Sequence, residues 1–383
     1  MARGACRAMN AILSDLLRPV AVATIGLLAA TSTVAETGDN ADYHQIPAIK
    51  SPLAHKVLLV SSEFAGERVV SGGSFGAVVY SDDQGATWRQ ANVPTQNLIT
   101  TMDFVSDREG WAGSHDTLIL HTTDGGENWE IQHEDLVVDG DIAKPVLDIY
   151  FRDPEHGIAI GAYSLLMTTD DGGATWEYED TSELYDLLLE HDMEPEPGFH
   201  AISPMGDGYL IVGELGTVLF WDPDGVEAAP ISGDDTDADV AEALPEAEAS
   251  EGEPPVRTGP WRILPSPYAG SFFGANAALS SGEVLIYGLR GRIYRSSDEG
   301  MTWQRIETPE VTANIFDSVE LSDGSVIAVG GTGTLLRIRP GSKIAERIPY
   351  GNFNSFVSVE RLSDTELLLF GSAGVQRFEL AEQ

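Results

Sequence analysis

Four short stretches of the sequence place a hydroxyl residue, an aspartate, a glycine and a tryptophan at nearly constant spacing. They read YSDDQGATW (80–88), HTTDGGENW (121–129), TTDDGGATW (168–176) and RSSDEGMTW (295–303). Their recurring residues are Ser81, Asp83, Gly85, Trp88, Asp124, Gly126, Trp129, Asp171, Gly173, Trp176, Ser296, Asp298, Gly300 and Trp303. A carboxylate beside a hydroxyl group can serve acid–base catalysis or bind a cation, so the four boxes are the first candidates for chemistry.

The same residue types also suit a tight turn between two strands. An aspartate can accept hydrogen bonds from the backbone N–H groups of the turn, and a glycine adopts the positive φ that such a turn requires. The hydroxyl group adds another bond, and the tryptophan fills the space below. Because a repeated motif in a closed array is normally structural, we predict that the boxes clamp hairpins and are not catalytic.

A second element recurs before each box position, and it consists of an apolar run, a glycine-containing turn and another apolar run. Trp88 and Trp129 are 41 residues apart, and Trp261 and Trp303 are 42 apart. The seven copies are VVSGGSFGAVVY, GWAGSHDTLIL, GIAIGAYSLLM, YLIVGELGTVLF, VLIYGLRGRIY, VIAVGGTGTLLRI and LLLFGSAGVQRF. Paired runs around a glycine turn are typical of β-hairpins, and a period near 40 residues indicates stacked units.

The repeat predicts an all-β fold, a seven-bladed β-propeller with four-stranded antiparallel blades. The last copy lacks a fourth strand, whereas YHQIPAIK (43–50) precedes the first. We therefore expect this N-terminal strand to complete the seventh blade and close the ring, which would remove an exposed sheet edge.

Three segments stand outside the repeat. Residues 1–35 carry three arginines, the apolar run VAVATIGLLAA and a small-residue end, which predicts a signal peptide and a periplasmic or secreted protein. That run is shorter than the roughly 20 residues that span a membrane, so no transmembrane span is expected in the mature chain. Residues 226–259 contain ten acids and no aromatic residue, which predicts a disordered acidic insertion within the propeller of residues 36–383. SELYDLLLEHD (182–192) predicts a short helix.

The composition excludes several classes of function. The chain has 61 acidic and 22 basic residues and a formal charge of -39, so binding to the phosphate backbone of nucleic acid is not expected. Its one cysteine, Cys6, lies in the predicted signal peptide, which excludes thiol chemistry in the mature chain. The eight histidines show no ligand-like pairing, so we expect neither a metal site nor a cofactor.

The boxes resemble the Asp-box, or bacterial neuraminidase repeat, of sialidases, sortilin-type receptors and several glycosidases. The fuller blade EGWAGSHDTLILHTTDGGENW (109–129) looks most like the photosystem II assembly and stability factor family, and the resemblance extends over about residues 43–380. It implies a non-enzymatic propeller outside the cytoplasm that binds protein and assists the assembly or stability of a membrane-associated complex. We expect it to act as a monomer.

Two enzymatic alternatives come from the same resemblance. A sialidase needs an arginine in an early Arg-Ile-Pro motif, but Gln45 stands there, and a neutral amide cannot form the bidentate pair with a substrate carboxylate. A glycoside hydrolase or a glycan-binding propeller stays open, since the separation of two carboxylates cannot be read from sequence.

The turns between second and third strands should lie on the face opposite the boxes, and their residues vary where the boxes are nearly constant. Such variety on a constant scaffold is typical of a recognition surface. The predicted partner-binding residues are Phe75, His115, Tyr163, Glu214 and Arg290, with Thr332 and Ala373 in the last two blades. Tyr268, Phe272, Phe273 and Phe353 lie in linkers that should open on the same face.

Overall fold

The computed structural model describes residues 45–135, 144–223 and 256–381. The predicted signal peptide, residues 1–35, lies outside the described residues, as does most of the predicted acidic insertion. No helix in the three described ranges is both long enough and apolar enough to cross a membrane.

The described chain forms seven antiparallel sheets, which are the blades, in chain order. Blade 1 contains β1 (Leu59–Ala65), β2 (Arg68–Gly73), β3 (Val78–Ser81) and β4 (Arg89–Gln90); blade 2 contains β5 (Ile99–Phe104), β6 (Gly110–Ser114), β7 (Ile119–Thr122) and β8 (Glu130–His133); blade 3 contains β9 (Val146–Phe151), β10 (Gly157–Gly161), β11 (Leu166–Thr169) and β12 (Glu177–Tyr178). Blade 4 contains β13 (Phe199–Met205), β14 (Gly208–Gly213), β15 (Val218–Trp221), β16 (Val256–Thr258) and β17 (Trp261–Ile263); blade 5 contains β18 (Phe272–Asn276), β19 (Val284–Gly288), β20 (Ile293–Ser296) and β21 (Gln304–Ile306). Blade 6 contains β22 (Ile315–Glu320), β23 (Val326–Gly330), β24 (Thr334–Ile338) and β25 (Glu346–Arg347); blade 7 contains β26 (Phe356–Arg361), β27 (Glu366–Gly371) and β28 (Gly374–Glu379).

The first strands of neighbouring blades contact one another in sequence, and β26 returns to contact β1. This cyclic order confirms the predicted seven-bladed propeller. The core lies between the blades, because the second strand of each blade is almost entirely buried and packs against its neighbours. Each blade therefore buries its faces only within the ring.

The glycine in each apolar run is explained by close packing at the end of the second strand. A Cβ atom on Gly213 or Gly371 would collide with the carbonyl oxygen of Gly198 or Ser355 in the preceding linker. In blade 2 the corresponding residue is Ser114, whose hydroxyl donates a hydrogen bond to Leu98 O at 2.8 Å. Glycine at this position thus leaves room for the linker, and blade 2 accommodates Ser114 through a hydrogen bond to the linker carbonyl.

The predicted closure of the ring by the N-terminal strand is wrong. Blade 7 has three strands, and residues 46–50 form no strand but run beside β4 of blade 1. Ala48 N donates to Val93 O at 3.0 Å, and Lys50 Nζ donates to Gln90 O at 3.1 Å. Pro47 lacks the N–H that a strand needs, and Ala48 is buried among residues of blades 1 and 2.

Side-chain packing closes the ring instead. Phe370 of blade 7 makes an edge-to-face contact with Trp88 of blade 1, with ring centroids 6.0 Å apart. The Ser62 and Ser358 hydroxyl groups of the two inner strands are hydrogen bonded at 2.7 Å. Blade 7 joins blade 1 without sharing a strand.

Blade 4 differs from the prediction at the end of the acidic insertion. Val256–Thr258 pairs with β17 and adds a fifth strand, so these three residues do not belong to a disordered loop. Gly259, with φ 49°, supplies the turn between the two strands. The predicted helix is confirmed as α1 (Ser182–Glu190), which lies in the connection between blades 3 and 4.

Candidate protein-binding face

The hairpin turns between second and third strands lie beside the linkers that join successive blades. Thr117 N donates to Lys144 O at 2.8 Å, Ser164 N donates to Pro197 O at 2.9 Å, and Gly333 N donates to Asn354 O at 2.8 Å. We call this surface the turn face. It comprises Ser74–Gly76, Glu214–Gly216, Leu289–Gly291 and Gly331–Gly333, the turns at Asp116, Tyr163 and Ala373, and the adjoining linkers. The four Asp-boxes follow the third strands and form the opposite surface, the box face.

The tips of the turn face have an uncommon backbone conformation. Phe75, Leu215, Arg290 and Thr332 have φ values of 60°, 53°, 58° and 54°, and each precedes a glycine that also has positive φ. Two successive residues of positive φ make a type I′ turn, in which asparagine followed by glycine is strongly preferred. Bulky or β-branched residues at the first position cost of order 1 kcal/mol each, and such strain clusters at functional sites.

The same tips present apolar side chains to solvent. Phe75 is 69% exposed, Leu215 is 59% exposed, and Phe353 in the linker beside Thr332 is 85% exposed. Tyr163, with φ 56°, is also exposed. Exposed apolar groups of this size are typical of protein-binding sites.

Phe75, Tyr163 and Arg290 occupy tips of the turn face, as the sequence predicts. His115 and Glu214 each lie one residue before a tip, and the left-handed tip residues are Asp116 and Leu215. In blade 2, Ser114 stands where the other blades have glycine. An alignment of the blades on their glycines is therefore displaced by one residue and gives His115 instead of Asp116 as the tip.

The linker aromatics divide into buried and exposed residues. Phe272 is fully buried at the start of β18, so the prediction that it enlarges the face is wrong. Phe273 packs on His200 and Phe316, and the Arg292 guanidinium lies 5.4 Å from the Tyr268 ring centroid. Phe353 remains on the surface.

Arg290 is the one predicted residue at a tip that carries a positive charge. Its backbone N–H donates to Asn314 Oδ1 at 3.1 Å, which fixes the turn. Among the residues that the structure describes, the guanidinium group has no hydrogen bond or ion pair. In a chain with so few cations this group is available to a partner.

In each Asp-box the carboxylate is occupied within its own turn. Thr87 N donates to Asp83 Oδ1 at 2.8 Å, Thr87 Oγ1 donates to Oδ2 at 2.6 Å, and Ser81 Oγ donates to Oδ1 at 2.8 Å. These donors, chiefly the Thr87 hydroxyl, lower the pKa of Asp83 to about 2. The boxes of Asp124, Asp171 and Asp298 repeat the arrangement.

The tryptophans of the boxes are less uniform than the carboxylates. Trp88 and Trp129 Nε1 donate to the carbonyl of their own box glycine at 3.1 and 3.0 Å, whereas Trp303 Nε1 donates to Pro265 O at 2.8 Å. Trp129, Trp176 and Trp303 are buried. The box glycines Gly85, Gly126, Gly173 and Gly300 all have φ 83°. The geometry suits hairpin clamps.

The structure also places five carboxylates where first strands line the axis of the ring, and the sequence reasoning did not identify them. They are Glu63, Asp103, Asp148, Asp317 and Glu360. Three of them bridge neighbouring blades by accepting a backbone N–H: Phe151 N to Asp103 at 2.5 Å, Ile202 N to Asp148 at 3.0 Å, and Val359 N to Asp317 at 2.8 Å.

Burial changes the protonation of these axial carboxylates. Loss of hydration raises the pKa of Glu63 and of Asp148 to about 7, and it raises the pKa of Asp103 and of Asp317 to about 6. Desolvation and the neighbouring Glu63 raise the pKa of Glu360 as well. The sequence signal that could have identified the axial carboxylates is an acidic residue within a predicted first strand, as in ITTMDFV or VLDIYF.

Within residues 45–135, 144–223 and 256–381, no group of three or more acidic, histidine or cysteine side chains is arranged to hold a metal ion. Three of the five axial carboxylates, Asp103, Asp148 and Asp317, are instead engaged with the backbone of adjacent blades.

Comparison with known proteins gives the same fold and supports the family resemblance. Residues 133–232 match the family model described as photosynthesis system II assembly factor YCF48. The photosystem II assembly lipoprotein Ycf48 of Nostoc sp. is 25% identical over 223 residues, which is 58% of this chain and 52% of that protein. The match thus spans about half the length of the curated relative. The predicted resemblance to this family is confirmed.

Three solved structures share the architecture. "YCF48 bound to D1 peptide" has a TM-score of 0.59 and 16% identity, covering 88% of this chain and 100% of the solved one. YCF48 from Cyanidioschyzon merolae has a TM-score of 0.61 and 15% identity, covering 85% and 96%. The WD40 propeller domain of Doa1 has a TM-score of 0.57 and 13% identity, covering 89% and 97%. At these identities the structures establish the fold alone.

Proposed function

We propose that this protein is a non-enzymatic assembly factor that binds a protein or peptide segment of a membrane-associated complex through its turn face. The observation that carries the proposal is the set of bulky residues in left-handed conformation at the tips. Phe75, Leu215 and Arg290 each precede a glycine in a turn that favours asparagine. Residues kept against local backbone preference, and exposed to solvent, indicate selection for contact with a partner.

The comparisons support this assignment. The matching family is described as an assembly factor, and one solved relative is bound to a D1 peptide. The curated relative is a lipoprotein, which agrees with a periplasmic or secreted location for this chain. We propose that a peptide segment of this kind binds across the exposed tips, with Phe75 and Leu215 as apolar anchors and Arg290 as a charged contact.

Affinity capture from detergent-solubilised membranes tests the proposal with matched variants. The test variant is Phe75→Asn with Leu215→Asn, which places the residue favoured by each turn on the turn face. The control is Gln84→Asn with Glu299→Asn, because these exposed box-face residues also have left-handed φ, 57° and 55°, and also precede glycine. We expect the test variant to retain about one tenth of the captured membrane protein. We expect the control to retain all of it.

Equal capture by all three proteins would contradict the proposal. The D1 peptide provides a second probe in a direct binding titration. If the wild-type chain binds neither the peptide nor any membrane protein, the assembly-factor assignment fails.

The axial carboxylates favour one alternative, a glycoside hydrolase. Retaining and inverting hydrolases pair a protonated carboxyl group with an ionised one, and Glu63 has the raised pKa of about 7 that a general acid requires. Against this, Asp103, Asp148 and Asp317 each hold the backbone of the next blade. Hydrolysis of aryl glycosides that is lost in Glu63→Gln would establish the alternative, and no hydrolysis by the wild-type chain would eliminate it for those substrates.

A further inference from the structure

The connection between blades 3 and 4 carries a surface that the repeat does not explain. It contains α1 and the proline-rich segment that leads from α1 to β13. Together they line a surface cavity of about 370 Å³ that is open to solvent. The cavity is lined by Asp180, Thr181, Ser182, Tyr185, Asp186, Pro195 and Glu196. No other blade connection in the described chain contains an α-helix.

α1 has an apolar side that is packed and a second apolar strip that is not. Leu184, Leu187 and Leu188 are buried, and Leu184 and Leu188 pack against blades 3 and 4. Tyr185 and Leu189 are 41% and 55% exposed, and because they lie four residues apart they occupy one side of the helix. An apolar strip that the rest of the described chain leaves open provides contact area for a partner.

The charge around this strip has one sign. Asp180, Asp186 and Glu196 line the cavity together with Tyr185, and the lining residues that the structure describes include no lysine or arginine. Asp180 Oδ1 accepts Ser182 N at 2.9 Å at the start of the helix, and no ion pair of Asp186 or Glu196 occurs within the described ranges. A tyrosine ring beside carboxylates attracts a cation through both its quadrupole and their charge.

We propose that Asp180, Tyr185, Asp186, Leu189 and Glu196, here called the α1 platform, form a docking site for a basic, apolar peptide segment of a partner protein. A lysine or arginine of the segment enters the cavity against Tyr185, and a neighbouring apolar side chain covers Leu189. Charge complementarity selects this occupant, since three carboxylates face a cavity without a cation. The α1 platform does not require the turn face, so the two sites are testable separately.

Binding of two synthetic peptides tests the proposal in the full chain. One is a Lys–Leu repeat and the other is a Glu–Leu repeat of the same length, each labelled for fluorescence anisotropy. The test variants are the neutralised triple Asp180→Asn, Asp186→Asn, Glu196→Gln and the double Tyr185→Ala, Leu189→Ala. The matched control neutralises three exposed box-face acids, Glu67→Gln, Glu155→Gln and Asp207→Asn, and removes the same total charge.

We expect the Lys–Leu peptide to bind the wild-type chain and the control within about twofold of each other, and each test variant to bind about tenfold more weakly. Thermal melting checks that all variants fold, which the surface position of every substituted residue favours. Equal weakening in the control would show only general attraction to an acidic protein and would overturn the proposal. Binding of the Glu–Leu peptide, or self-association lost in Tyr185→Ala, Leu189→Ala, would overturn it as well.

Discussion

The turns on both faces of the propeller contain residues in the left-handed backbone conformation, but the two faces carry different side chains at these positions. On the box face, left-handed positions are occupied by Gln84, Glu299 or glycine, and each box carboxylate is saturated by donors of its own turn. On the turn face, left-handed positions carry Phe75, Tyr163 and Leu215, whose side chains are exposed to solvent.

We interpret the difference between the two faces as a division between stability and recognition. Hydrogen bonds that begin and end within one turn stabilise a hairpin and leave nothing for a partner. Exposed apolar residues in strained turns contribute little to stability, and we propose that those of the turn face contact a partner. Four near-identical boxes and seven unlike tips follow from these two roles.

The largest expected effect comes from the tryptophan of a box. Trp129→Ala removes a buried ring that packs against Phe104 and donates to Gly126 O, so we expect a loss of about 3–5 kcal/mol in the free energy of unfolding. Phe353→Ala on the turn face should change it by less than about 0.5 kcal/mol. Urea denaturation measures both. Similar losses in the two variants would break the comparison.

The next effect concerns the box carboxylate itself. Asp124→Ala removes the acceptor for Asn128 N, Asn128 Nδ2, Glu127 N and the Thr122 hydroxyl. We expect a loss of about 2 kcal/mol in the free energy of unfolding. Asp207→Ala is the control, because Asp207 is exposed and has no side-chain hydrogen bond in the described residues. An Asp124→Ala variant as stable as the control would mean that the boxes are not clamps.

Stability should also depend on pH in two opposite ways. The pKa of Asp83 is lowered by its hydrogen bonds, so the stability from this group is lost as the pH falls through about 2. The pKa values of Glu63 and Asp148 are raised to about 7 by burial, so the folded protein holds protons that the unfolded chain releases. That contribution is lost as the pH rises from about 4 through about 7.

We therefore expect maximum stability near pH 4 and a decrease of at least about 1 kcal/mol between pH 5 and pH 8. Thermal melting across this range measures the trend, and Glu63→Gln should reduce the decrease. A melting temperature that rises between pH 5 and pH 8 would show that the axial carboxylates ionise without cost.

The smallest expected effect is a gain in stability on the turn face. Phe75→Asn places the favoured residue before Gly76 in a type I′ turn, so the free energy of unfolding should increase by about 0.5 kcal/mol while partner capture falls. Gln84→Asn on the box face should give a similar gain without loss of capture. If Phe75→Asn destabilises the protein, Phe75 has a structural role and the distinction between the faces weakens.

The sequence predicted those features whose parts lie close together in the chain. Each box spans nine residues, and the donors to its carboxylate lie inside it, so spacing alone indicates the geometry of the clamp. The seven repeats, and the helix α1 with its buried Leu184, Leu187 and Leu188, are local patterns of the same kind.

Features that depend on distant contacts were missed. The N-terminal segment does not pair with the edge of blade 7, because Ala48 is buried beside blade 1 and its N–H donates to Val93 O. The axial carboxylates depend on strand register, because an irregularity after the first residue of β9 or β22 decides which side chains face the axis. In blade 4 the backbone conformation places Leu215, with φ 53°, at the tip instead of the predicted Glu214.

Site-specific photo-crosslinking from the two faces tests the central claim most directly. A photoreactive amino acid is placed at position 75 or 353 on the turn face, or at position 84 or 299 on the box face, and each protein is irradiated with solubilised membranes. We predict that both turn-face positions crosslink to the same membrane protein and that neither box-face position does. Crosslinks from the box face to that protein, or their absence from the turn face, would contradict the account.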